Sequence, residues 1–166
     1  MFNWLKSWTS RPHSGNPSKT SNGKVVTLNF DIEDFDSVLV HSALDVEIAQ
    51  GEYSIQATIP EECIANLVVE KRRGQLYLSL KGNVQCQQTM TVRVVMPMLH
   101  RLEAFDATHV QAAITSHHSL QVTTHGASTV VLYGEGVMTQ FMAHDASTLD
   151  ASGFSSQLST CEARGA

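Results

Sequence analysis

The sequence predicts an all-β domain, a right-handed parallel β-solenoid with rungs of about 20 residues. Three observations lead to this fold class. Apolar residues alternate with period two along most of the chain, as half-buried strands require. Valine is the commonest apolar residue, with 16 copies beside 17 serines and 14 threonines, a composition typical of strands. From residue 102 onward, one short pattern of small residues recurs at nearly constant spacing. A chain of 166 residues is long enough for one such domain with its own core.

Paired antiparallel or meandering strands are expected in the N-terminal part. Gln50-Gly51 predicts a hairpin turn between two alternating stretches, and the basic turn Lys71–Gly74 predicts a second hairpin. Between them, Glu61–Asn66 fits at most one helical turn. Pro97 cannot donate to a sheet ladder and ends the last strand of this part. The alternating stretches cover residues 26–32, 44–48, 53–59, 67–69, 76–80 and 90–96.

The second part is an internal repeat with small-residue corners. The corners are Asp106-Ala107-Thr108, Gly126-Ala127-Ser128, Asp145-Ala146-Ser147 and Gly165-Ala166, spaced by 20, 19 and 20 residues. Gly and, less readily, Asp tolerate the positive φ of a tight bend. A unit this short cannot bury an apolar face alone, so the repeats must stack, and crossovers between parallel strands are right-handed. Stacked corner hydroxyls are expected to hydrogen-bond along the ladder.

Charge separates an N-terminal segment from the rest. Residues 1–24 carry four basic residues and no acid, whereas residues 25–166 carry 7 basic and 16 acidic residues. We interpret residues 1–24 as a basic, flexible tail and linker, and residues 25–166 as the single domain. Two readings of the tail remain open. Met1, Trp4, Leu5 and Trp8 have the spacing of a short interfacial helix with weak membrane contact, or the segment docks on a neighbour or stays disordered. The acidic body makes nucleic acid an unlikely partner.

A family resemblance rests on a fairly specific combination of motifs. Val92-Arg93-Val94-Val95-Met96-Pro97 leads into the Gly-Ala-Ser corners, preceded by Phe35, Val46-Glu47-Ile48 and Gly51-Glu52-Tyr53. This combination, over about residues 30–166, resembles the putative auto-transporter adhesin head GIN domain family. The resemblance implies a bacterial β-solenoid, often on secreted or lipid-anchored chains, and implies no catalytic residues. The chain departs from the pattern by showing no export signal and by having Asp at two corners.

Histidine is enriched in the repeat and supplies the weak metal candidates. His125 and His144 each precede a corner, so their side chains should stack, with Asp145 beside them. Two imidazoles and a carboxylate could ligate zinc, nickel or copper. The competing interpretation is a variable outward column, because Phe105 and Arg164 fill the same position on flanking rungs. We expect the second, and therefore no metal and no cofactor.

The corner aspartates and serines could in principle support two further chemistries, glycoside hydrolysis and nucleophilic catalysis. Asp106 and Asp145 lie two rungs apart, about 9.6 Å by strand spacing, which could suit an inverting glycosidase pair. Corner aspartates more often bond their own backbone, and Ser128 and Ser147 lack the surroundings of a nucleophile.

The acidic stretch around Phe35 predicts a solvated edge. The three cysteines, Cys63, Cys86 and Cys161, are odd in number and far apart, which argues against a disulfide framework.

These observations predict a non-catalytic binding or scaffold module, adhesin-like and surface- or envelope-associated by family analogy. The alternative is a carbohydrate-active enzyme, a polysaccharide lyase or hydrolase, on the same scaffold. The ligand is open between a glycan and a protein. Without a signal peptide or an apolar run of membrane length, the location is cytoplasmic by default and the cell envelope by family analogy. Because Gly165-Ala166 stop within a repeat, we expect a truncated chain or self-association at the open C-terminal rung.

Overall fold

The computed structural model describes residues 24–82, 84 and 88–165. These residues form eleven strands of one sheet and a short 3₁₀ helix at Glu61–Asn66. The predicted tail at residues 1–24 lies outside the described part except for Lys24. The strands are β1 (Val25–Phe30), β2 (Ser37–Val40), β3 (Asp45–Gln50), β4 (Ser54–Pro60), β5 (Leu67–Arg72), β6 (Gln75–Leu80), β7 (Thr91–Met96), β8 (Arg101–Ala104), β9 (His109–Thr124), β10 (Thr129–His144) and β11 (Thr148–Arg164).

The all-β prediction is confirmed, and the sheet is mixed. Among the described strands, β1–β4, β4–β7 and β5–β6 pair antiparallel. The pairings β2–β6, β2–β8, β3–β7, β3–β9, β8–β9, β9–β10 and β10–β11 are parallel. The mixture means that the parallel solenoid is not confirmed as the architecture of the whole domain.

One of the two expected hairpins is wrong. The turn at residues 71–74 does join an antiparallel pair, β5 with β6. The Gln50-Gly51 turn does not, because β7 lies between β3 and β4 and pairs with both. Gly51 approaches β7 closely: a Cβ there would lie 2.8 Å from Cγ1 of Val95. Partners distant in sequence therefore replace the local pair.

Three long parallel strands, β9, β10 and β11, contain most of the predicted repeat and lie against a continuous core. The first half of β9 continues the layer that contains β3, and its second half pairs with β8. The middle of β10 bends, and its pairing register shifts there against both neighbouring strands: between Val131 and Tyr133 opposite β11, and between Gly136 and Met138 opposite β9. At this bend Gly134 has φ 114°, and a Cβ would lie only 2.0 Å from the Ile114 carbonyl oxygen, so only glycine fits. Side chains of both layers, such as Val46 and Leu102, meet in one buried cluster.

The cysteines depart from the sequence expectation. Cys63, in the 3₁₀ helix, is buried and disulfide-bonded, whereas Cys161 is free and exposed. Cys86 lies outside the described residues. Three widely spaced cysteines therefore do not exclude a disulfide at Cys63. Within the described residues, no helix has the length and apolar character needed to cross a bilayer.

Candidate functional site

The predicted corners adopt the backbone conformation that their residue types favour. Asp106, Gly126 and Asp145 have φ of 62°, 67° and 59°. Gly126 also lies against the backbone of the preceding corner, where a Cβ would be 3.3 Å from the Asp106 nitrogen. Gly165 is an exposed residue after β11, and Ala166 lies outside the described part. The corners thus stack directly over one another and turn the chain by positive φ.

The corner hydroxyls bond the backbone rather than one another. Ser128 Oγ donates to the carbonyl oxygens of His125 at 2.8 Å and Ala104 at 3.2 Å. Ser147 Oγ lies 2.6 Å from the His144 carbonyl oxygen, and its side-chain partner is the hydroxyl of Thr124, which is not a corner residue. The expected ladder of corner hydroxyls is therefore wrong.

Thr108 differs from the two corner serines. Its hydroxyl is buried, and its Oγ1 has no hydrogen-bond partner among the residues that the structure describes. The side chain fills its place in the corner stack without the backbone contacts that Ser128 makes.

One edge of the domain carries a continuous stack of rings, here called the aromatic column: Tyr77, His41, Phe105, His125 and His144. The rings of His41 and Phe105 are 4.4 Å apart, those of Phe105 and His125 4.6 Å, and those of His125 and His144 4.7 Å, with interplanar angles of 8° or less. Tyr77 continues the column at 5.9 Å, tilted by 47°. These spacings follow the strand repeat, as expected for outward residues in register.

Cations flank both ends of the aromatic column. Arg72 lies over the Tyr77 ring, with Cζ 4.8 Å from its centroid, a favourable cation–π geometry. At the other end, Arg164 is the register partner of His144 on β11. The column rings are half-buried, so their faces contact one another and their edges meet solvent.

The stacking of His125 on His144 is the geometry expected from the repeat, but it suits a shared metal poorly. Imidazole lone pairs lie in the ring plane, and zinc–nitrogen bonds are about 2.0–2.1 Å long. Parallel rings 4.7 Å apart cannot both place one ion in their planes. Among the described residues, no group of three His, Cys, Asp or Glu side chains has the arrangement of a metal site.

The two corner aspartates are held in local contacts at exposed positions. Asp106 Oδ2 lies 3.4 Å from His41 Nδ1, and Asp145 Oδ2 accepts a 3.4 Å hydrogen bond from the Gly126 nitrogen. No cleft walls surround either carboxylate, because both residues are exposed. A depression of about 250 Å³ does lie at the bend in the middle of β10, and its lining includes one carboxylate, Glu135, beside His117. Neither place unites two carboxylates with a base.

The acidic stretch before β2 is exposed, as expected of a solvated edge. Its four carboxylates surround Phe35, which is 1% exposed and packs on Tyr53 with ring centroids 4.9 Å apart. The phenol of Tyr53 donates a 2.9 Å hydrogen bond to the Phe35 carbonyl oxygen. Burial raises the pKa of Tyr53, and the nearby carboxylate of Asp34 raises it further.

Sequence reasoning missed His41, which extends the column beyond the repeat. The signal was present: His41-Ser42-Ala43 has the same order as His125-Gly126-Ala127, and Ser42 has φ 74°. The corner escaped notice because Ser stands where Gly or Asp was sought.

A second missed feature is a polar outer face on the layer of β10, β9, β3 and β7. Register places Gln111, Glu47 and Arg93 side by side on three neighbouring strands, all exposed. The next outward row contains Tyr133, Ala113 and Ala49. These six residues line a surface depression of about 290 Å³, here called the Tyr133 depression.

Comparisons place this geometry among known folds. The family model for "putative auto-transporter adhesin, head GIN domain" matches residues 34–166. No curated protein matches the sequence.

Solved structures share the fold at low sequence identity. A putative adhesin from Bacteroides fragilis is 14% identical with a TM-score of 0.70, the match covering 86% of this chain and 77% of that one. A putative adhesin from Parabacteroides merdae is 15% identical with a TM-score of 0.59, covering 86% and 78%. A putative lipid binding protein from Parabacteroides distasonis is 13% identical with a TM-score of 0.53, covering 86% and 79%. At these identities the likeness shows the fold alone.

Proposed function

Because the chain belongs to the putative auto-transporter adhesin, head GIN domain family, we propose that it is a non-catalytic, adhesin-like binding module of the bacterial cell envelope. The observation that carries the proposal is the outer face beside Tyr133. There, exposed polar side chains project from neighbouring strands of a rigid sheet, an arrangement suited to contact with an extended ligand. The ligand is a glycan or a protein.

The corner aspartates argue against the enzymatic alternative. A lyase or hydrolase needs paired carboxylates, or a carboxylate facing a base, around the scissile bond. The corner aspartates are exposed and held by His41 and the Gly126 nitrogen. This arrangement supports a module without catalysis.

We interpret the architecture as a right-handed parallel β-solenoid with antiparallel additions. The parallel register of β9, β10 and β11 and the stacked positive-φ corners support it. The handedness follows from the general rule for parallel crossovers. In such a scaffold each rung adds another row to the binding face.

A location outside the cytoplasm has independent support from Cys63. Structural disulfides persist in the periplasm and on the cell surface, and they are rare in the reducing cytosol. The buried, disulfide-bonded Cys63 is therefore consistent with envelope association. Thiol labelling of the protein taken from its native cells and unfolded in denaturant, with and without reductant, tests this: labelling of Cys63 without reductant would contradict it.

The decisive experiment separates binding from turnover. The purified full chain is applied to immobilised glycans and to protein-coated surfaces, and both retention and released product are measured. Retention without product is expected. Release of shortened glycan at a rate that follows protein concentration would refute the non-catalytic assignment.

A further inference from the structure

We propose that the Tyr133 depression binds an uncharged sugar ring, so that the ligand of this module is a neutral glycan. The inference rests on the proposed binding function and names its site and ligand class. Its basis is the juxtaposition of an exposed aromatic ring, a floor of two alanines and three polar side chains without internal ion pairs.

The aromatic wall is held in place and remains accessible. Tyr133 is 48% exposed. Its ring lies against Gly153 of β11, where a Cβ would come within 2.6 Å of the ring atom Cδ1. Gly153 therefore leaves the space that the ring occupies on one side. On the other side, Ala113 and Ala49 are small, and they leave the ring standing above a shallow floor.

The polar row supplies donors and acceptors at strand spacing. Gln111, Glu47 and Arg93 are register partners on β9, β3 and β7, about 4.8 Å apart from strand to strand. The carboxylate accepts hydrogen bonds, the guanidinium donates, and the amide does both. Gln111 also contacts His109 at 3.2 Å between Nε2 atoms, which steadies its side chain.

Glu47 and Arg93 remain available to a ligand. The ion pairs within the described part of the chain join other residues, although these two lie on adjacent strands. Ring hydroxyls of a sugar can bridge such a pair, while its C–H face packs on an aromatic side chain with an apolar body and a polar tip.

Charge and size select the ligand class. One acid and one base line the depression, so its formal charge is balanced and favours an uncharged polar ligand over a phosphate or a uronic acid. Its volume of about 290 Å³ is at the small end of the roughly 300–1,000 Å³ range of ligand sites. A second depression of about 100 Å³ shares Glu47 and Gln111 and also contains Asp45 and His109. The two together fit an oligosaccharide, with one ring against Tyr133.

The test compares the full chain with two variants on an array of neutral and acidic oligosaccharides. Tyr133→Ala removes the wall of the depression. Met138→Ala, a control, truncates another exposed apolar side chain of β10, 53% exposed and outside the depression. We expect the unmodified chain to retain neutral glycans, Tyr133→Ala to reduce the apparent affinity at least tenfold, and Met138→Ala to change it less than twofold. Equal melting temperatures of the three proteins confirm that folding is intact.

The outcomes separate this inference from the proposed function. Retention of neutral glycans that survives Tyr133→Ala overturns the site, and retention of acidic glycans alone overturns the ligand class. Capture by protein-coated surfaces without any glycan retention overturns the sugar inference and leaves the binding function standing. Turnover of a glycan, by contrast, refutes the non-catalytic function itself.

Discussion

Removing the hydroxyl of Ser128 should destabilise the domain by about 1 kcal/mol. Its Oγ is buried and donates to the carbonyl oxygens of His125 and Ala104. A typical hydrogen bond contributes about 0.5–1.5 kcal/mol net. No larger penalty is expected in Ser128→Ala, because the Ala104 carbonyl still accepts a 2.8 Å bond from the His125 nitrogen. In a domain of this size, 1 kcal/mol lowers the melting temperature by about 2–4 °C.

Thr108→Val is the matched control at the equivalent corner position. Within the described part of the chain, the buried Thr108 hydroxyl has no hydrogen-bond partner, so folding removes it from water without giving it a hydrogen bond in exchange. Valine keeps the β-branched shape, and replacing an unpaired hydroxyl by a methyl group is neutral or stabilising. We therefore expect a change between zero and about 1 kcal/mol in favour of the folded state, opposite in sign to that of Ser128→Ala.

Urea unfolding followed by far-ultraviolet circular dichroism measures both variants. If Thr108→Val lowered the free energy of unfolding as much as Ser128→Ala, the hydrogen bonds of the Ser128 hydroxyl would not explain the stability lost in Ser128→Ala. That result would refute the assigned role of these hydrogen bonds.

Four further outcomes are expected. The folded state raises the pKa of Tyr53 above its ordinary 10.0. The contribution of the neutral phenol to the free energy of unfolding is therefore complete below about pH 10 and is lost as the pH rises through the folded pKa. Tyr53→Phe should flatten the dependence of the urea midpoint on pH in that window, and an unchanged slope would contradict this. The full chain should sediment with anionic vesicles more than the chain beginning at Gly23, since each basic residue near such a surface adds about 1 kcal/mol; equal sedimentation would exclude tail binding. Zinc titration of metal-free protein should show no binding tighter than micromolar that His125→Ala and His144→Ala together abolish, and a strong signal lost in that double variant would restore the metal hypothesis. Hydrogen-exchange protection should be weaker in β11 than in β7, because among the described strands β11 pairs with β10 alone, whereas β7 lies between β3 and β4; equal protection of the two strands would contradict this.

The features that the sequence predicted are those set by local physics. Period-two alternation marks Val122 and Val130 as inward residues because only one face of each strand is buried, and both are fully buried. The corner bends follow from positive φ at Asp106 and Gly126. The stacking of His125 on His144 follows from a repeat in constant register.

What the sequence did not reveal depends on partners far apart in the chain. The insertion of β7 between β3 and β4 leaves no mark at Gln50-Gly51, where the local turn favours a hairpin. The Tyr133 depression needs three strands whose alignment no single segment encodes. Cys63 likewise shows no local spacing that would mark it as disulfide-bonded.

The positive-φ corners also constrain how such a chain can change in length. Adding or deleting a few residues between two corners would rotate every outward side chain of that rung out of its column and bury the wrong face. Duplicating a whole unit between equivalent corners, such as the 20 residues from Asp106 to His125, would instead preserve the aromatic column, the core and the backbone ladder together. Tandem duplication is thus the least disruptive way to lengthen this scaffold. The outward residues of each duplicated unit can then change without disturbing the core.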